Sequence, residues 1–167
     1  MARNKLLILF GIAAVFTASC SKVPEGMPKT YPCTIKVIKD SAPVDGANIV
    51  LYPENPLADL ISSGVTDASG NAKIVSLYKN YQGKGVPEGS YKMTITKLPF
   101  VEHTKTPHEI ASMSPGDQIA YEKEFLAKRD ALPKIVPDAL TNVEDTPLKV
   151  DVTSSGSVLE VNLSEYF

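Results

Sequence analysis

Tryptophan is absent from this 167-residue chain, and cysteine and histidine occur only twice each. Without tryptophan, the usual flat platform for stacking a sugar ring is missing. Two cysteines cannot build a disulfide-dense scaffold. Basic residues are not in excess either: 17 Lys and Arg face 19 Asp and Glu, a net charge of −2. Nucleic-acid binding wants a basic patch or stripe, and none is present. The charge is too balanced, and the 43% hydrophobic content too high, for a disordered chain. The length allows one domain, or one domain with an appendage. No Gly-x-Ser-x-Gly, phosphate-cradling glycine loop or zinc-peptidase motif occurs. The expectation is a protein that is not an enzyme and holds no cofactor or metal.

What is present begins with an N-terminal address. Arg3 and Lys5 are the only charges before Lys22, and an unbroken apolar run covers 11 residues, Leu6 to Phe16. A bilayer-spanning helix needs about 20 apolar residues, so the run is too short to span. A positive start, a short apolar middle and small residues at the end are the parts of a secretory signal. The ending Thr17-Ala18-Ser19-Cys20 resembles the bacterial lipoprotein signal, although Thr17 stands where leucine is usual. In that class the cysteine becomes the first mature residue and carries the lipid. The resemblance therefore implies a signal peptide at 1–19, lipid attachment at Cys20, and a membrane partner reached through that lipid. Stable anchoring takes more than one acyl chain, which is the solution such lipoproteins use. Ser21, a residue other than aspartate after the cysteine, implies the outer membrane if the host has two membranes.

Residues 20–32 are rich in Pro, Gly, Lys and Ser and read as a flexible tether. From Cys33 the pattern changes to short runs of period-two alternation: 33–39, 48–52, 61–66, 72–77, 90–97, 148–153 and 158–163. Seven such runs between turn residues argue an all-β, antiparallel sandwich over 33–167. Gly70 in Asp67-Ala68-Ser69-Gly70-Asn71 can take positive φ, and Ser154-Ser155-Gly156 reads as the last hairpin. Residues 98–146 break the rhythm and form an insertion. Within it Ser114-Pro115-Gly116-Asp117 is a helix start, strong helix formers fill 119–131, and Pro133 forces a stop. That one helix is expected to lie on the sandwich.

Three blocks carry a second resemblance. They are Pro43-Val44-Asp45-Gly46-Ala47 leading into Ile49–Pro53, then Gly64–Asn71, then Val86-Pro87-Glu88-Gly89-Ser90-Tyr91 leading into Ile95. Together they resemble the carboxypeptidase-regulatory-like, transthyretin-like modules of bacterial secreted lipoproteins. The resemblance implies a seven-stranded Greek-key sandwich, often an accessory domain beside another envelope protein. The related transthyretin-like hydrolases end in Tyr-Arg-Gly-Ser, whereas this chain ends Ser164-Glu165-Tyr166-Phe167, so that activity is not implied.

Few residues invite a sharper reading. Cys33 is in phase with Ile35 and Val37 and should point inward as a small hydrophobe; no neighbour is placed to activate it. His103 and His108, with Glu102 and Glu109, offer two imidazoles and two carboxylates for a divalent metal, but in no standard spacing, and Pro107 argues a loop. Asp67, Ser69 and Asn71 faintly resemble a calcium loop but lack the distal glutamate, and a hairpin turn explains them better. Tyr78, Tyr81 and Phe100, the aromatic residues left for a glycan, read as rim or core. The sequence thus leads to a lipid-anchored cell-envelope protein with a non-catalytic sandwich, structural, adhesive or accessory to an envelope protein partner. A ligand-binding module, taking a glycan or a divalent metal at the 98–110 loop, is the alternative.

Overall fold

The computed structural model describes residues 23–56 and 59–167. The signal at 1–19 and Cys20 lie outside the described residues. The described residues form twelve strands: β1 (Thr30–Tyr31), β2 (Cys33–Lys39), β3 (Ala42–Pro43), β4 (Asn48–Pro53), β5 (Leu60–Val65), β6 (Asn71–Lys73), β7 (Val75–Tyr78), β8 (Tyr81–Gly83), β9 (Val86–Pro87), β10 (Gly89–Thr96), β11 (Lys149–Val152) and β12 (Ser157–Asn162). The larger sheet runs β11-β10-β4-β5-β7-β8. In the smaller sheet β12 flanks β2 on one edge, while β3 and β6 share the other. β1 pairs with β9 as a separate ribbon. The inward residues of both sheets form one core, with Ile35, Val37, Ile49, Leu51, Met93, Ile95, Val161 and Leu163 all buried.

All seven expected runs are strands, and the β-rich class follows from them. The larger count has local causes. β1, β3, β8 and β9 are only two or three residues long, too short to show alternation. The run 72–77 divides at Ile74, where the chain passes from the smaller sheet to the larger. Ala72, Ile74 and Ser76 are all buried, so the same face points inward through the corner. Period two therefore reads straight across the break.

The expectation of wholly antiparallel pairing is corrected. β12 runs parallel to β2, from Ser157 opposite Cys33 to Asn162 opposite Ile38. Alternation is the same for either direction, so the sequence pattern carries no sign of it. The Ser154-Ser155-Gly156 turn is present, with the Gly156 N–H donating to the Thr153 carbonyl. Its flanking strands, however, enter different sheets rather than pairing. The Asp67–Asn71 turn likewise joins strands of different sheets. The Asp67 carboxylate accepts from the backbone N–H groups of Ser69 and Asn71, which accounts for its place in the turn.

The segment 98–146 proves to be two different things. Its first part, through Ala131, carries α1 (Pro107–Ala111) and α2 (Pro115–Asp130) and buries no residue of either helix. The expected helix is there, capped by Ser114 and ended before Pro133, but it is an arm rather than a cover on the sheet. The second part belongs to the core. β11 pairs only with Gly89–Lys92 of β10. Beyond that point the Met93 N–H donates to the Leu148 carbonyl, and the Met93 carbonyl accepts from the Thr146 hydroxyl at 2.8 Å. Val136 and Leu140, the latter in a 3-10 turn at Asp138–Leu140, fill the adjoining core. The tether also ends sooner than composition suggests, because Thr30 and Tyr31 pair with Pro87 and Val86.

Two glycines of opposite character test this architecture. Gly70 has φ +77°, and a Cβ there would lie 2.5 Å from the Val37 carbonyl oxygen. Gly116 in α2 has no neighbour nearer than 3.9 Å to such a Cβ. Gly70→Ala is expected to cost about 2 kcal/mol, and Gly116→Ala to add about 0.5 kcal/mol. Urea midpoints that move in the same direction for both would contradict the turn geometry.

Candidate functional site

The arm is built from local capping chemistry. In α1 the Thr106 hydroxyl accepts from the Glu109 N–H, and the Glu109 carboxylate accepts from the Thr106 N–H at 2.7 Å. This capping box satisfies two helix-end donors at once. Pro107 therefore starts a helix, where its missing N–H is harmless, rather than sustaining a loop. The hydrogen bonds that the Glu109 carboxylate accepts from Thr106, first from the backbone N–H and then from the hydroxyl at 2.7 Å, hold it below its ordinary range. In α2 the Ser114 hydroxyl accepts from the Asp117 N–H and donates to its carboxylate.

His103 fastens the arm to itself. Its ring stacks on Phe125 at 4.0 Å with the planes 4° apart, and Nδ1 lies 3.3 Å from the Tyr121 hydroxyl. The partners Tyr121 and Phe125, four residues apart, share one side of α2. Of the four residues weighed as metal ligands, Glu109 is thus committed to a cap and His103 to an aromatic stack. Among the described residues no three His, Cys, Asp or Glu side chains converge on a possible metal position.

The arm meets the sheets at a cleft of about 520 Å³, bounded by Thr96–Pro99, Arg129, Asp130, Leu132, Lys134–Val136, Asp138 and Thr141. Leu98, Pro99, Leu132, Ile135 and Val136 supply apolar lining. The rim charges are internally paired, Arg129 with Asp130 and Lys134 with Asp138. Lys97 donates to the Asp45 carbonyl. Such a cleft suits an apolar or amphipathic segment better than a small anion, because its cations already have partners. Phe100, expected at a rim or in the core, is 86% exposed beside it. Sequence reasoning did not find this cleft. The one available signal was Leu98-Pro99-Phe100, an apolar stretch directly after the cleanest strand.

Cys33 lies where its phase places it, in the core and 3% exposed. Burial pushes its thiol up to about 11. Burial, and then the neighbouring Cys33, push the Tyr91 phenol up to about 12. The Tyr91 hydroxyl donates to the Pro87 carbonyl at 2.8 Å, which ties the start of β10 to β9. A thiol so buried and so hard to ionise is a packing group, not a nucleophile. No protein-family model, curated protein or solved structure matches the chain.

Both raised groups predict loss of stability in alkali. The folded state prefers the neutral forms, so the unfolded chain sheds its protons first as pH rises. The contribution of Cys33 is complete below its ordinary value of 9.0 and falls away through about 11. That of Tyr91 follows between 10.0 and about 12. Unfolding free energy should therefore decline from pH 9 upward, and Cys33→Ala should delay the onset of that decline by about one pH unit. An unchanged onset in the variant would contradict this.

Proposed function

We propose that this chain is a lipid-anchored cell-envelope protein whose β domain is non-catalytic and serves a structural, adhesive or accessory role beside another envelope protein. The observation that carries the reading is the apolar run Leu6–Phe16 followed by Ala18-Ser19-Cys20, ten residues before the first strand. Cleavage before Cys20 would leave a lipid-bearing cysteine joined directly to a folded domain. The two-sheet architecture supports a carboxypeptidase-regulatory-like, transthyretin-like Greek-key module as its finer identity. Ser21 favours the outer membrane where the host has two.

The surface favours a protein partner over a small ligand. The arm exposes Leu98, Phe100 and Ile119, and the cleft at its base carries an apolar strip of Leu98, Pro99, Leu132, Ile135 and Val136 within a polar rim. The use of His103 and Glu109 inside the arm weighs against a metal-holding 98–110 loop.

Metabolic labelling with palmitate is the direct test. The wild type should incorporate label and lose its first 19 residues, whereas Cys20→Ala should do neither. Label retained by the variant would place the lipid elsewhere and refute the anchor at Cys20.

A further inference from the structure

The anchor reading gives the domain a definite end to present to the membrane. Val23 follows Cys20 by three residues, a span of at most about 11 Å of extended chain. From there the chain runs beside the β7–β8 hairpin. Gly26 sits against its tip, where a Cβ would lie 3.1 Å from the Tyr78 hydroxyl. Met27 reaches Gly83, and the Thr30 hydroxyl donates to the Lys84 carbonyl at 3.2 Å. The path from Gly26 to Tyr31 thus begins at the hairpin tip and ends at β9.

The tip has the composition of a membrane-interface element. Tyr78 and Tyr81 are direct partners across the two-residue turn Lys79-Asn80. The Lys79 ammonium sits 5.2 Å from the centre of the Tyr78 ring. Behind the tip Ile61 and Leu77 pair across β5 and β7, 59% and 46% exposed, beside an open cleft with Asp59, Leu60 and Lys79. Asp59 balances Lys79, so the patch is amphipathic rather than basic. Tyr78 and Tyr81 share the sheet face of Leu60, while Ile61 and Leu77 occupy the opposite, outer face, so the tip carries aromatic rings on one side, exposed aliphatic side chains on the other and Lys79 at the turn between them. Such side chains suit the headgroup layer, where one end of tyrosine or lysine is apolar and the other wet.

Strand register sets the opposite end. Leu60 pairs with Tyr78, and Pro53 with Tyr91, at the tip end of the larger sheet. Asn48 pairs with Val65 and Thr96 at the other. The helical arm leaves from Thr96, one strand length away from the tip.

We propose that the β7–β8 tip, Tyr78–Tyr81 with Ile61 and Leu77 behind it, rests in the headgroup layer of the bilayer that holds the Cys20 lipid, so that the helical arm and its cleft face away from the membrane. This rests on the anchor reading. The absence of tryptophan provides the probe. Tyr81→Trp, Lys79→Trp and Ile119→Trp each introduce a single emitter, the first two at the tip and the third on α2. Each full-length, lipidated protein is placed in vesicles of three parts phosphatidylethanolamine to one part phosphatidylglycerol, with or without brominated lipid. The two tip variants should lose at least about half their emission to the bromine, as interfacial side chains do, while Ile119→Trp stays unquenched. Lys79 is exposed, so that variant reports even if Tyr81→Trp disturbs packing. Equal or absent quenching at all three positions, or quenching at position 119 alone, overturns the orientation. Mass spectrometry of the Cys20 peptide separates the two claims: lipid present without tip quenching refutes the orientation alone, and lipid absent refutes the anchor and the orientation with it.

Discussion

Strand β2 has to be hydrogen-bonded on both edges, and the partners that satisfy it come from opposite ends of the chain. On one edge, β3 and β6 divide its length between them. On the other lies β12, parallel and more than 120 residues away in sequence. Without β12 the buried side chains Cys33, Ile35 and Val37 would sit on a strand with an open edge, the usual template for wrong pairing. The closure is reinforced at its middle and at one end. Lys36 and Glu160, register partners, form an ion pair at 2.7 Å, and the Asp40 backbone and carboxylate both engage the Ser164 hydroxyl. The exposed ion pair contributes little energy by itself. The stabilisation comes from the alternating apolar face that the register turns inward.

A similar problem at β10 explains the shape of the long insertion. β11 is too short to cover the eight residues of β10, so the chain returning from the arm closes the remaining edge. Thr146 is the hinge of that closure: its buried hydroxyl donates to the Met93 carbonyl and accepts from the Leu148 N–H. A buried hydroxyl with both roles filled fixes position without a desolvation penalty. The same device recurs at Thr66, which donates to the Val44 carbonyl and accepts from the Ala47 N–H. The arm before residue 132 is then free of any duty to the core and is held by its own caps and by the His103 stack. That division leaves a stable body and a separable surface feature, the arrangement in which surface chemistry can vary without cost to the fold.

Much of this was legible in the residues. The strand runs, the Ser114 cap, the stop before Pro133, the inward Cys33 and the Asp67 turn are all governed by neighbours within four or five positions. Alternation, capping and proline sterics act at that range. The candidate site was legible only in part. His103 and Glu109 stood out as possible ligands because residue type is visible in sequence, but their commitments to Phe125 and to the Thr106 N–H depend on geometry. The cleft beneath the arm draws on Thr96–Pro99, Arg129–Asp130 and Lys134–Thr141, three stretches with no shared pattern.

By itself, then, the sequence determined the β-rich class, most strand positions and the ends of the long helix, because each is encoded in a short window of polarity and backbone preference. Only the tertiary structure decided that the last strand runs parallel to the second, that one run of alternation bends between sheets at Ile74, that half of the insertion plugs an edge, and which end of the domain carries the N-terminal segment. Those are choices among partners. A strand's alternation is identical whichever neighbour it finds and whichever way that neighbour runs, so the choice is made by the single arrangement that buries every inward face and bonds every edge at once.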